Sequence, residues 1–513
     1  MNYSALIPEA VLLAAAVIAL LGGSFLPRRG QVIIRWFTLG ALVVSAGIAA
    51  GAAGQTGGAI FEGTYAIDTP TTLVRVLAPL CTVVVVLIGR RDFRGSPRES
   101  ETYTLLLLAT LGTVVMGGAT DLLVLIAAFL LTSIPLYALI GIRRTAHAAE
   151  ATLKTYLMGA LFGVLLLAGV ALLTSLAGTS SYATMNTALA AAPTAAVVLG
   201  VVATIIGLLF KAGGVPGHFW VPDATEAAGT AVGAFLTTVP KIGALVAIAR
   251  VVTVMPSSID VPLLIGVLAA LSMTVGNLAA LAQRNVRRLM GWSTVSQVGY
   301  LLMPIAVIGA APTAPASLLA YLVLYSISNL TVFAAFTALP GREHIDDFAG
   351  AARRHPWLTA TLAIGALSLV GTPPTAVFFG KLAVFTSTWD GGLVWLVVVA
   401  AINTVVSLFY YLRWIAPVYG RGEPPARTPP GAFIPAAWSA TTAVTIRSPS
   451  ATPTRRWPTS TASPGCWCAH RPFSVPAIPR SGTRCAPTRW QTAGRRTGPT
   501  RPRPSPGCTS TTW

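Results

Sequence analysis

Apolar runs of about twenty residues, the length needed to cross a hydrocarbon core, recur between residues 3 and 418. No other feature constrains the fold as tightly, because backbone amides in lipid must be satisfied within helices or closed barrels. The runs are unalternated Leu, Val and Ala stretches, whereas a barrel strand alternates between lipid-facing and lumen-facing residues. The expected fold class is therefore an all-α integral membrane protein. Charged residues make up 10% of the 513 and hydrophobic residues 54%, against about a quarter charged in soluble domains. A soluble fold of this length is excluded. The opening MNYSALIPEAVLL lacks a basic n-region and an A-x-A-like cleavage site, so the first run is expected to stay as structure.

Thirteen spans are expected, near 3–26, 35–54, 70–89, 102–118, 121–142, 151–175, 193–212, 227–253, 262–282, 289–310, 315–339, 357–386 and 391–418. Their connections alternate in charge. The basic ones hold Arg28/Arg29, Arg90/Arg91/Arg94, Arg143/Arg144, Arg284/Arg287/Arg288, Arg353/Arg354 and Arg421/Arg427, and those near Asp68, Asp121, Ser180, Thr313 and Asp390 are neutral or acidic. The positive-inside rule then puts the basic set in the cytoplasm and the N-terminus outside. Two features depart from the pattern: the connection after the seventh span lacks arginines, and Arg250 lies towards the opposite side.

Beyond residue 428 the chain changes character, with eleven Arg, no Lys, Asp or Glu, and dense Pro, Thr and Ser. Stretches such as TPTRRWPTSTASPGCWCAHRP carry neither helical nor strand periodicity. A disordered basic tail is one reading. The preferred one is an out-of-frame translation of a GC-rich gene, in which a fourteenth span has been lost. Cys466, Cys468, His470 and Cys485 are read as coincidence in biased sequence rather than as a zinc site, and with Cys81 inside an apolar run the five cysteines form no disulfide framework.

The most informative chemistry is lysine usage. The 35 basic side chains divide into 31 arginines, nearly all in connections, and four lysines, Lys154, Lys211, Lys241 and Lys381, all in or at the edge of spans. A cation at mid-bilayer costs about 2.5–3.5 kcal/mol on insertion scales, so the placements need a reason. Arginine stays protonated in proteins, whereas lysine can be tuned to give up its proton in an apolar setting. This segregation is what a proton path requires. The plain alternative is snorkelling to the headgroups. It fits Lys154, one turn into its span, better than Lys211, Lys241 or Lys381, which sit beside Gly/Pro breaks or follow a mid-span proline.

The breaks themselves, GGVPGH after Lys211 and GTPP before Lys381, lie five spans apart. Irregular backbone at membrane depth is tolerated only when buried in protein or lining a wet cavity, and paired interruptions point to inverted repeats around an ion path. The repeats would cover spans four to eight and nine to thirteen, although no strong residue identity links the halves. Expected regions are an N-terminal three-helix part (1–100), a first repeat (101–255), a second repeat (256–420) and the tail (421–513). Carboxylates are scarce, 16 in all. Glu9 lies in the first span, Glu101 and Asp121 flank the fourth, and Asp68, Asp223 and Glu226 lie beside breaks or interfaces. Glu150 stands at i,i+4 to Lys154. His218, inside the first break, is either a proton carrier at neutral pH or a plain loop residue.

These residues sit in strings that resemble the antiporter-like membrane subunit N of proton-pumping NADH:quinone oxidoreductase, respiratory complex I. They are PEAVLL (8–13), ETYTLLLLATLG (101–112), DLLVLIAAFLLTSIPLYAL (121–139), EATLKTYLMGA (150–160), FKAGGVPGHFWVPDATEAA (210–228), TVGNLAALAQRNVRRLMGWSTVSQVGYLL (274–302), YLVLYSISNL (321–330), DDFAGAARRHP (346–356), LSLVGTPPTAVFFGKLAVF (367–385) and INTVVSLFYYLR (402–413). The resemblance covers residues 1 to about 427. It implies a fourteen-helix bundle with two inverted five-helix repeats and broken helices. It also implies that Lys211 is the central relay lysine, Lys241 its neighbour, Lys381 the lysine of the second broken helix, and Lys154 the lysine following the glutamate-bearing span.

The resemblance further implies a translocase subunit with no redox chemistry of its own. NAD, FMN, iron–sulfur clusters and quinone would belong to partner subunits. Other membrane subunits and the lipid bilayer would surround the chain, the quinone pool would act on it indirectly, and nucleic acid would not be a partner. The setting would be a bacterial plasma membrane. One departure stands out. The family carries a glutamate in the fifth span, and Leu130 occupies that position. No nearby carboxylate replaces it, so this copy is expected to pump poorly or to couple differently. Two rivals remain: a sodium or potassium/proton antiporter on the same helices, and a non-pumping structural copy.

Overall fold

A computed structural model of the chain describes residues 3–54, 58–256, 258–339 and 341–421. Residues 422–513, the expected tail apart from Arg421, lie outside the described residues, and with them Arg427, Cys466, Cys468, His470 and Cys485. Among those described, eleven helices are long and apolar enough to cross a membrane. The first part holds α1 (Ile7–Phe25), α2 (Gln31–Gly51), a hairpin of β1 (Gly58–Ile60) and β2 (Tyr65–Ile67), α3 (Thr69–Ile88) and the short turn α4 (Arg90–Phe93). Then come α5 (Glu99–Gly118), α6 (Leu122–Gly141), α7 (Ala146–Ala177), α8 (Tyr182–Ala190), α9 (Thr194–Ala212), α10 (Trp220–Ala227) and α11 (Thr230–Thr253). The last part holds α12 (Val261–Leu281), α13 (Val286–Ala306), α14 (Ala314–Thr337), the turn α15 (Ala351–Arg354), α16 (Pro356–Val370), α17 (Ala376–Asp390) and α18 (Val394–Tyr419).

Every expected span has its helix, with one change: the stretch expected as 357–386 is two helices, α16 and α17, parted by the GTPP break. The elements not expected, α4, α8, α10, α15 and the hairpin, are too short to hold an apolar run. Several span edges carry side-chain caps that satisfy the first free amides of a helix. Asp68 accepts from Thr71 N, Asp121 from Leu123 N and Val124 N, Thr145 from Ala148 N, and Asn285 from Arg287 N and Arg288 N. Asp121 also accepts from Ser180 Oγ at 2.5 Å. Asp121, between the fourth and fifth spans, is therefore occupied in holding a helix end. α11 is buried along nearly its whole length and packs against α3, α5, α9, α10, α13 and α14, forming the centre of the bundle.

The alternating charge of the connections is reflected in who meets whom. The neutral connections bond to one another, through Thr120 N to Thr64 O, Leu122 N to Ser180 O, and Asn186 Nδ2 to Met255 O. The basic ones do likewise at the other end, through Val286 N to Glu343 O, Gly350 N to Pro417 O, and the Arg413 guanidinium to Leu281 O and Gln283 O. Both departures from the charge pattern now have a reason. Arg250 is neutralised at the neutral end by Asp68, 2.6 Å away, and also bonds Thr71 and Gly117 O. The arginine-poor connection after the seventh span is α10, whose Asp223 and Glu226 receive Arg288 of the basic end at 2.5 and 3.1 Å. The expectation that arginines keep to connections needs a correction, because Arg35 and Arg75 are buried inside α2 and α3.

Candidate functional site

The two breaks are built alike. α9 stops at Gly213 (φ +77°) and α16 at Gly371 (φ +87°), each closing the helix in the left-handed conformation that glycine adopts freely. The amides return to the last turn, Gly213 N to Leu209 O and Gly371 N to Leu367 O. The final carbonyls have no next turn to bond, and lysines take them. Lys241 Nζ donates to Ala212 O at 2.5 Å, and Lys381 Nζ to Val370 O at 2.9 Å. A helix C-terminus carries partial negative charge, so an ammonium there is favoured by about 0.3–1 kcal/mol, more when buried. Glycine is also needed for access: a Cβ on Gly213 would stand 2.8 Å from Lys241 Nζ, and one on Gly371 2.8 Å from Lys381 Cδ.

Lys211 sits in the last turn of α9, buried, with Nζ donating to Ser133 Oγ at 2.5 Å and lying 4.9 Å from the centre of the Phe129 ring. Its hydrogen-bond partner is thus a neutral hydroxyl. Leu130, where a glutamate was expected, is 44% exposed and shares with Phe129 and Ser133 a cleft of about 240 Å³ between α6 and α7. Among the described residues none of Lys211, Lys241 and Lys381 forms an ion pair. Lys211 and Lys241 meet at one helix end, since Lys241 bonds the carbonyl of the residue following Lys211.

Between Lys241 and Lys381 lies a file of buried polar side chains in separate hydrogen-bonded groups. One turn before Lys241, Thr237 and Thr238 accept from Asn329 Nδ2 at 2.9 and 2.8 Å, and Tyr325 donates to Thr237 O at 2.7 Å and Thr294 Oγ1 at 3.3 Å. One turn along α13, Gln297 accepts from the Tyr321 hydroxyl at 2.5 Å and donates to Leu369 O at 2.9 Å, the carbonyl next to that held by Lys381. Lys381 completes the file against Thr404 Oγ1 at 3.2 Å and the Tyr300 ring at 3.9 Å. Sequence reasoning did not single out Ser133, Gln297, Asn329, Tyr321 or Tyr325. Their signal was polar side chains one helical turn apart inside apolar spans, such as Tyr321 with Tyr325.

Lys154 and Glu150 lie elsewhere. They pair at 2.7 Å, both side chains more than half exposed, and Lys154 also reaches Asp223 at 3.3 Å. They belong to the ionic cluster of α7, α10 and α13 at the basic end, and are not in contact with Lys211. His218 is buried in the first break, its ring 4.2 Å from that of Phe219 and 5.5 Å from that of Trp292.

The transmembrane family of NADH:quinone oxidoreductases and Mrp antiporters matches residues 119–407, more than half of the chain and both breaks. The chain belongs to this family. A family member from Mycobacterium sp. (strain JLS), NADH-quinone oxidoreductase subunit N, is 50% identical over 416 residues, covering 80% of this chain and 88% of its own. In respiratory complex I from Thermus thermophilus, one chain superposes with a TM-score of 0.70 at 30% identity, covering 82% of this chain and 92% of that one. The Mrp complex from Dietzia sp. DQ12-45-1b shares the fold, with a TM-score of 0.73 at 22% identity over 83% of this chain and 81% of that one.

Proposed function

We propose that this chain is the proton-translocating subunit N of an NADH:quinone oxidoreductase, with Lys211, Lys241 and Lys381 as its proton relay. The observation that carries the reading is that each lysine is buried without a carboxylate partner, that Lys211 and Lys241 meet at one helix end, and that buried polar side chains lie between Lys241 and Lys381. A buried lysine held by neutral acceptors can bind and release a proton without dismantling an ion pair. Electron transfer to quinone in partner subunits supplies the driving energy, and NAD, FMN and iron–sulfur clusters belong there. Lys154, Glu150 and the rest of the ionic cluster stand at the rim, where protons would be collected. The charge alternation of the connections supports a bacterial plasma-membrane setting with the basic end in the cytoplasm. The matched breaks support an inverted pair of five-helix repeats.

The test is donor-driven proton uptake in inverted membrane vesicles, with electron transfer followed in the same sample. Lys211→Met is expected to lower proton uptake on the order of tenfold or more, the scale of a lost acid–base group, together with or ahead of electron transfer. Unchanged values for both would overturn the reading. Sodium- or potassium-driven exchange without an electron donor would then favour an antiporter.

The missing glutamate gives a second prediction. Leu130→Glu puts a carboxylate into the cleft beside Ser133 and Lys211, and coupled proton uptake is expected to rise, because a partner that changes charge can switch the lysine between binding and release. Uptake equal to the parent's would count against the idea that this copy is weakened by Leu130.

A further inference from the structure

Lys211 is buried with donors to spare. An ammonium carries three N–H groups, and among the described residues Lys211 Nζ makes one hydrogen bond, to Ser133 Oγ. That hydroxyl in turn donates to Phe129 O at 2.6 Å, and no carboxylate among the described residues pairs with the lysine. Beyond Ser133 and Phe129 lies the cleft between α6 and α7, lined on the α7 side by Gly159, Ala160 and Gly163. Its rim residues Leu130, Ile134 and Val164 are exposed. The small residues make the space: a Cβ on Gly163 would meet only Phe129 Cε1, at 3.7 Å. A cleft of about 240 Å³ holds about eight groups of water size, at about 30 Å³ each. A helix is about 10 Å across, so a neighbouring helix lies over such a cleft without entering it.

Depth and charge together decide what fills it. Ser133 is eleven residues from the start of α6 and eight from its end, about 16 and 12 Å along the helix. Lipid phosphates stay charged, and a charge is costly at that depth, so they remain among the headgroups. A bare inorganic anion would lose its water in hydrocarbon with nothing to replace it. A carboxylic acid differs, because protonation makes it neutral and a long apolar chain keeps it in the bilayer. We propose that the cleft between α6 and α7 binds the head of a long-chain carboxylic acid, whose carboxylate pairs with Lys211 beside Ser133. The acid enters uncharged, its O–H bond breaks in the cleft, and an N–H bond forms on a neutral Lys211 Nζ. The resulting carboxylate and ammonium are neutral together, and the chain stays in lipid past the exposed rim. This site goes beyond the proton-translocating reading and does not depend on it, since binding is read without an electron donor.

The experiment is photolabelling of the whole complex in its membrane, with a palmitic acid probe carrying a diazirine near its head and with the matching alcohol. The acid is expected to label α6 and α7 more strongly than the alcohol, on the order of tenfold or more, the scale of a buried ion pair against a neutral head. Lys211→Met should remove that preference. Gly163→Leu covers the case of a Lys211 variant that fails to assemble: it keeps the lysine, fills the cleft and should abolish labelling by the acid. Leu130→Glu supplies a carboxylate from the chain itself and should lower labelling as well. Equal labelling by acid and alcohol in the parent overturns the proposal, because the cleft then reads the chain and not the carboxyl. Acid labelling that survives Gly163→Leu overturns it too. So does the absence of label on α6 and α7, which would mean that a neighbouring subunit covers the cleft in the assembled complex. If Lys211→Met stops proton uptake while the parent takes no acid label, the relay reading stands and this site falls.

Discussion

Glu9→Ala is expected to destabilise the chain by about 3–5 kcal/mol, the cost of leaving a buried charge without its partner. Glu9 stands in the first turn of α1 and meets Arg75 of α3, with Arg75 Nε 2.7 Å from Glu9 Oε1. The Tyr65 hydroxyl donates to the same oxygen at 2.7 Å, Arg75 Nη2 reaches Ala5 O at 3.1 Å, and the guanidinium lies 5.3 Å from the centre of the Tyr65 ring. The side chains of Arg75 and Glu9 are only 3% and 10% exposed, so water cannot replace the lost carboxylate. The double variant Glu9→Leu/Arg75→Leu removes both charges and should recover most of the loss, because well-packed apolar side chains often replace a buried pair without penalty. Thermal unfolding of the detergent-solubilised complex reports both. A Glu9→Ala cost below roughly 1 kcal/mol, the size of an ordinary point substitution, would mean that the pair is not buried as described.

Gly213→Ala should be nearly as damaging and should also stop proton transfer. Two effects add. A residue with a Cβ loses about 1–2 kcal/mol in the left-handed conformation that Gly213 adopts at φ +77°. The new Cβ also stands 2.7 Å from Val221 Cγ2 and 2.8 Å from Lys241 Nζ, and such overpacking costs about 1–3 kcal/mol. The ammonium is pushed off Ala212 O, so proton uptake is expected to fall as far as in Lys241→Met. Gly178→Ala isolates the backbone effect: Gly178 has φ +66° and nothing within 4 Å of an added Cβ. It should lose stability but leave proton uptake at the parent level. Equal losses of uptake in the two variants would mean that Gly213 serves only the turn and not the seating of Lys241.

Much of this was legible in the chain because membrane insertion is a local problem. Each span must cover its own backbone in lipid, so the apolar runs marked where helices lie without knowledge of their neighbours, the GTPP break splitting one expected span in two. The four lysines stood out for the same reason, since their setting could be judged one span at a time. What they bond to was not legible. Ala212 O and Val370 O become acceptors only because the helices end there, and Lys241 reaches its carbonyl from a different helix. Asp121 was noted as a carboxylate beside a span, and its use as the cap of α6 and the partner of Ser180 is a tertiary fact. Snorkelling fitted Lys154 better than Lys211 in sequence, but that Lys154 lies in an ionic cluster and Lys211 against Ser133 was not legible there.

The sequence by itself determined that this chain is a helical membrane bundle, where its spans lie, and that all four lysines lie in or at the edge of them. Those conclusions follow from hydropathy, charge alternation and residue choice, which act within one segment. Only the tertiary structure decided that the buried lysines rest on helix-end carbonyls and a hydroxyl instead of carboxylates, and that Arg250 is neutralised by Asp68. It also decided that Lys381 rests between Val370 O, Thr404 and the Tyr300 ring. Hydrogen bonds at membrane depth are made between segments far apart in sequence, and which groups meet is set by how whole helices pack.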